Sequence, residues 1–126
     1  MSEIPRVARL DSVTIDCEDP ERLARFWSAV FGTSEEWRGG EPVQYIDLNP
    51  TEGSPKLRFQ RVAEPKTVKD RIHLDLEVDD IEGTYRSVIE LGASRVEQDD
   101  FHEYDVVFRV MLDPEGNEFC LVSKSS

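Results

Sequence analysis

S-V-T-I-D-C-E-D-P-E-R-L-A-R-F-W-S-A-V-F-G at 12–32 and H-L-D-L-E-V-D-D-I-E-G-T-Y-R-S-V-I-E-L-G at 73–92 are two versions of one pattern. Each passes from an alternating strand through an acidic cap into an amphipathic helix and stops on a glycine. Similar strands close the two halves, L-R-F-Q-R-V at 57–62 and E-F-C-L-V at 118–122. The spacing from Gly32 to Gly92 and from Gln60 to Cys120 makes a repeat of about sixty residues. Such a repeat decides the fold before any single element does, and it directs attention to the junction between the copies.

Working outward, Val13, Ile15 and Cys17 alternate with Ser12, Thr14 and Asp16, as in a half-buried strand. Asp19 is placed to cap a helix, with Pro20 at its first position and Leu23, Phe26, Trp27, Val30 and Phe31 along one stripe. Polar residues 33–42 read as loop with a short strand around Trp37, and strands follow at 43–48 and 57–62. Residues 63–70 hold Pro65 and no periodicity, so they read as a linker between module one, 8–62, and module two, 71–123. In module two, Leu74, Leu76 and Val78 alternate with His73, Asp75 and Glu77. Asp79 and Glu82 have capping-box spacing, and Ile81, Tyr85, Val88 and Ile89 form the helix stripe. A short strand is expected at 94–96 and an acidic loop at 98–103. In the strand beyond, Val106, Phe108, Val110 and Leu112 take one side and Val107, Arg109 and Met111 the other. Asp113-Pro114-Glu115-Gly116 suits a type I turn.

The chain of 126 residues is expected to be one domain, 1–126, of α+β class: two β-α-β-β-β modules in a curved mixed sheet with helices outside. Acidic side chains number 27 against 15 basic ones, a formal charge of −12. That field repels phosphates, so nucleic acid is not an expected partner, whereas a cationic small molecule is compatible with it. No apolar run is long enough to span a membrane, and M-S-E-I-P-R lacks an apolar signal region, so secretion is not expected. With only Cys17 and Cys120, a cytosolic chain with free thiols is expected. Cys17 shares the apolar face of its strand, so the two thiols point to opposite faces.

The strand faces turned from the helices carry Ser12, Thr14, Asp16, Arg58, Gln60, His73, Asp75, Glu77, Arg109 and Cys120 in this reading. They are too polar to pack dry, so they describe a wet cup and form the expected ligand-binding set. His73 is a candidate general base, set against a structural role, and Asp75 shares its face, although strand spacing argues against direct contact. Cys120 is a weaker candidate nucleophile, set against apolar filling. Arg58 and Arg109 are positioned to neutralise Asp16, Asp75 and Glu77; alternatively those carboxylates receive a cation. Trp37 and Tyr45 lie near the expected rim, where they can stack on a flat ligand.

D-C-E-D-P-E-R-L-A-R-F-W at 16–27, R-I-H-L-D-L-E-V-D-D-I at 71–81, L-G-A at 91–93 and D-P-E-G-N-E-F-C-L-V at 113–122 together resemble the glyoxalase-like, or vicinal oxygen chelate, superfamily. The resemblance implies a cup around a small molecule, a homodimer and, in many members, a divalent metal held by one ligand from each of four strands. Matching the strand faces places those positions at Ser12, Gln60, His73 and Cys120. Neutral serine and amide oxygens are poor ligands for hard ions, and His73 with Cys120 supplies only half of a zinc site. The expectation is therefore a cup without the full metal site and with no cofactor, binding an organic ligand; whether it catalyses is open. The alternatives are a metal-dependent lyase, isomerase or dioxygenase, and a drug-sequestering protein of the bleomycin-resistance kind.

Overall fold

The computed structural model describes residues 4–6 and 8–124. Module one runs β1 (Ser12–Cys17), α1 (Pro20–Phe31), β2 (Glu35–Gly39), β3 (Tyr45–Leu48) and β4 (Lys56–Arg61). Module two runs β5 (Leu74–Glu77), α2 (Ile81–Leu91), β6 (Ser94–Arg95), β7 (Phe101–Glu103), β8 (Val106–Leu112) and β9 (Glu118–Lys124). The sheets have orders β1-β4-β3-β2 and β5-β9-β8-β6, with β7 also on β8. In each, the first strand pairs in parallel with the last, and the remaining pairs are antiparallel. A helix must therefore carry the chain out of each first strand, as the repeat predicted. Strand β7 corrects the expected loop at 98–103: Phe101 stacks on Phe108 with centroids 5.1 Å apart, and that contact keeps the chain on β8.

Asp19 caps α1 by accepting from the Arg22 N–H at 3.1 Å. Gly32 ends it in the left-handed region, its N–H donating to the Ser28 carbonyl. In α2 the cap is Asp80 rather than Asp79, with no side-chain cap bond, and Glu82 accepts from Arg109 instead. The α2 stripe is thin: Val88 alone of its residues is fully buried, and Ile89 is exposed.

One apolar cluster spans both modules. Trp27 and Phe26 of α1 meet the ring of Phe119 from β9 edge-on, at 5.1 and 6.0 Å. The D-P-E-G-N turn at 113–117 locks this contact. Its Asp113 carboxylate accepts from the N–H groups of Glu115 and Asn117 and from Trp27 Nε1. Glu115 accepts from the backbone N–H groups of Glu18 and Asp19 at 2.9 and 2.7 Å, just before α1. A negative charge there is favoured by the helix dipole.

Strand faces decide what remains for a site. Val13, Ile15 and Cys17 turn toward the core, opposite Leu57, Phe59 and Arg61. Ser12, Thr14 and Asp16 take the other face, opposite Lys56, Arg58 and Gln60. In β8 the expected faces are reversed. Met111 pairs with Phe119 and Arg109 with Leu121, and all three apolar partners are fully buried under the helices. Val110 and Phe108 take the open face instead, opposite Cys120 and Val122. The strand is apolar on both sides, so alternation alone could not orient it.

The expected match of Gln60 with Cys120 is also corrected. Val13 and Leu74 each precede their helix cap by the same interval (13 to 19, 74 to 80) and line the same two cavities. Val13 pairs with Leu57 and Leu74 with Phe119, so the module-one counterpart of Cys120 is Arg58. A shift of two residues keeps the face but moves the position by about 6.6 Å along the strand.

Candidate functional site

The open face is built from rows of cross-strand neighbours. In module one, Asp16 lies beside Gln60 and Gln60 beside Tyr45; Thr14 lies beside Arg58, Asp47 and Trp37 in turn. In module two, Asp75 lies beside Cys120 and Val110, and Glu77 beside Val122, Phe108 and Phe101. Each outer side therefore ends in an aromatic pair. Trp37 and Tyr45 are tilted with centroids 6.5 Å apart, and Phe101 and Phe108 are stacked. Trp37 and Tyr45 are expected from sequence near the rim, but not as a contacting pair; the second pair has no signal in the sequence because Phe101 falls in an expected loop.

His73, Asp75 and Cys120 come together. His73 Nε2 stands 3.2 Å from Asp75 Oδ1, a direct contact where strand spacing had argued for none. The exposed histidine is free to fold back along the edge strand. Cys120 is buried beside Asp75, and burial, then the nearby carboxylate, push its thiol up to about 11, against a smaller pull from Lys69. A thiol held protonated in this way is a poor nucleophile. Cys17 is pushed further, to about 12, by burial and then Glu115.

Neither arginine of the expected ligand-binding set neutralises Asp16, Asp75 or Glu77. Arg58 makes two bonds to Asp47, at 2.7 and 2.8 Å, and Lys56 adds a contact at 3.6 Å. Those cations, Arg58 first, hold the buried Asp47 carboxyl below its ordinary range against desolvation. Arg109 is on the helix side, only 5 % exposed. It is clamped by Asp100 at 2.8 and 2.9 Å and Glu82 at 2.7 Å, beneath the Tyr85 ring at 4.9 Å. Arg109 is therefore not part of the open-face set. An arginine with two carboxylates and a ring face can lie where an unpaired one cannot. Asp16 and Glu77 have no ion-pair partner among the described residues and are exposed.

A cavity of about 550 Å³ opens between the free edge of β1, the 62–73 segment and the 113–118 turn. It includes Thr14, Asp16 and His73 of the expected set, with Ile15, Trp27 and Ile72 as apolar wall. A second, of about 200 Å³, lies at the other end of the module junction, where Asp75 meets the 49–55 turn. The larger volume falls in the range of small-molecule sites. This edge cavity is not legible in the sequence, because the linker that walls it has no periodic signal.

A model of the glyoxalase-like domain matches residues 12–122, and the chain belongs to that family. A glyoxalase/bleomycin resistance protein/dioxygenase family enzyme from Burkholderia phytofirmans is similar at TM-score 0.75 and 22% identity, over 93% of this chain and 99% of that one. A superfamily member from Sphaerobacter thermophilus gives TM-score 0.70 and 18% identity, over 94% and 98%. TioX from Micromonospora sp. ML1 gives 0.65 and 19%, over 93% and 99%. These identities speak for the fold. No curated protein matches the sequence.

The family's four-strand metal does not fit the residues present. The corrected positions are Ser12, Arg58, His73 and Cys120, so a guanidinium already bound to Asp47 stands where a ligand is needed. A cation cannot ligate a cation, and with Gln60 in its place the donor would be a neutral amide.

Proposed function

We propose that this chain binds a planar organic cation on its open face and holds it rather than transforming it. Asp16 and Glu77 carry the reading: they are exposed on that face without an ion-pair partner among the described residues, while Arg58 and Arg109 are committed elsewhere. A cationic ligand supplies the missing charge, and the aromatic pairs at the two outer sides offer surfaces for a flat ring. The formal charge of −12 adds long-range attraction. A thiol near 11 at Cys120 and a histidine engaged with Asp75 favour binding over nucleophilic chemistry. Sequestration, as the bleomycin-resistance branch of the superfamily name suggests, is the expected role, in a cytosolic homodimer.

A melting-temperature screen of chelator-treated protein tests this. A planar quaternary ammonium probe at about a hundred times its Kd should stabilise the fold by about 2.7 kcal/mol. The neutral isostere should do far less, and added salt should shrink the difference. Equal shifts for cation and isostere would remove the electrostatic basis of the proposal. Gel filtration checks the dimer.

A further inference from the structure

We propose that His73, Asp75 and Cys120 form a three-donor zinc site lying wholly within the second module. One ligand atom from each residue lies within 4.8 Å of the other two. Donors around a tetrahedral zinc stand about 3.3–3.8 Å apart, given bonds of about 2.0–2.3 Å. The remaining closure is small, and the exposed His73 side chain can supply it. The register makes the arrangement stiff where it matters: Asp75 and Cys120 are direct cross-strand partners, and His73 precedes Asp75 by two residues on the same face.

The donor chemistry selects the ion. An imidazole nitrogen, a carboxylate oxygen and a sulfur suit borderline-soft zinc and not magnesium or calcium, which take oxygen ligands. On binding, the Cys120 thiol loses its proton to solvent and its sulfur bonds the metal; thiolate and carboxylate together balance the dication. His73 and Asp75 side chains are 49% and 60% exposed, so the fourth coordination position faces the open side, available to water or a ligand. Module one contributes no donor, which separates this site from a four-strand one. The inference does not depend on the cation-binding proposal, which is tested on metal-free protein.

The experiment is titration of reduced, untagged, chelator-treated protein with zinc chloride, and with cobalt(II) chloride as a spectroscopic probe. One metal should bind per chain, and cobalt should produce a thiolate-to-metal charge-transfer band. His73→Ala, Asp75→Asn and Cys120→Ser should each weaken zinc at least about tenfold, the lower end of what even an outer-shell change costs. Cys120→Ser should erase the band; Cys17→Ser, Ser12→Ala and Gln60→Ala should keep it. Circular dichroism on every variant separates a lost ligand from a lost fold. Should Cys120→Ser fail to fold, Asp75→Asn decides, since that exposed side chain supports no core packing. Absence of the band in the parent protein, undiminished zinc affinity in Asp75→Asn, or loss of binding in Ser12→Ala or Gln60→Ala would each overturn the proposal.

Discussion

Trp27 Nε1 of the first module donates a buried hydrogen bond of 3.1 Å to Asp113 Oδ2 of the second. The same indole packs edge-on against Phe119 and stacks with Phe31 at 5.6 Å. One residue therefore holds apolar and polar parts of the module junction together. Trp27→Phe keeps most of the ring packing and removes one of the two donors to Asp113 Oδ2, leaving Asn117 Nδ2 as the other, so it should cost about 0.5–1.5 kcal/mol in urea unfolding. Asp113→Ala also strands the backbone N–H groups of Glu115 and Asn117, and should cost more than Trp27→Phe. A smaller loss for Asp113→Ala would mean that the turn holds without its carboxylate.

Arg109 should behave as a structural residue. Arg109→Met removes a guanidinium bound by Asp100 and Glu82, leaving Asp100 with Arg95 alone and Glu82 without its partner. The expected loss is about 2 kcal/mol, less than for a fully buried pair because Glu82 can return to water. Binding of the planar cation should be unchanged. Weakened binding with unchanged stability would put Arg109 back at the site.

Acid should unfold the protein partly through Asp47. Its carboxyl sits below the ordinary 3.8 because Arg58 bonds the charged form. A depressed folded-state value means stability that is present above the unfolded value and lost as pH falls through the folded one. Calorimetry should show Tm falling below about pH 4. Asp47→Asn should lower Tm at pH 7 and flatten that acid limb; an unchanged limb would assign acid sensitivity to other groups.

Both thiols should be sluggish in the metal-free folded protein. With Cys120 near 11 and Cys17 near 12, little thiolate exists at pH 8. Iodoacetamide should label both rapidly only in denaturant. Fast labelling of Cys120 under native conditions would revive it as a nucleophile.

Asp16→Asn combined with Glu77→Gln should weaken the planar cation about tenfold, the equivalent of about 1.4 kcal/mol. Tm of the free protein should hold or rise, since both carboxylates are exposed and have no ion-pair partner among the described residues. Retained affinity in the double variant would move the binding site away from this face.

The duplication, the two helices, the Asp19 cap and the faces of β1 were all legible in the sequence, because each follows from neighbours a few residues apart. Local periodicity suffices where one side of an element is apolar and the other polar. Strand β8 lacks that contrast: Val106, Val107, Phe108, Val110 and Met111 are apolar on both sides. The burial of Met111 against Phe119 oriented it, and that burial carried Arg109 to the helix side with Asp100 and Glu82. The counterpart of Cys120 likewise needed the ladders, since the offset between first and last strands depends on turn lengths as well as on the repeat. The sequence by itself determined the family, the two-module plan and which residues are polar on alternating strands. Only the tertiary structure decided which charges meet: Arg58 with Asp47, His73 with Asp75, and Asp16 and Glu77 with none among the described residues. Pairing across strands and modules is a matter of distance in space, and a single sequence without partners in view carries no record of it.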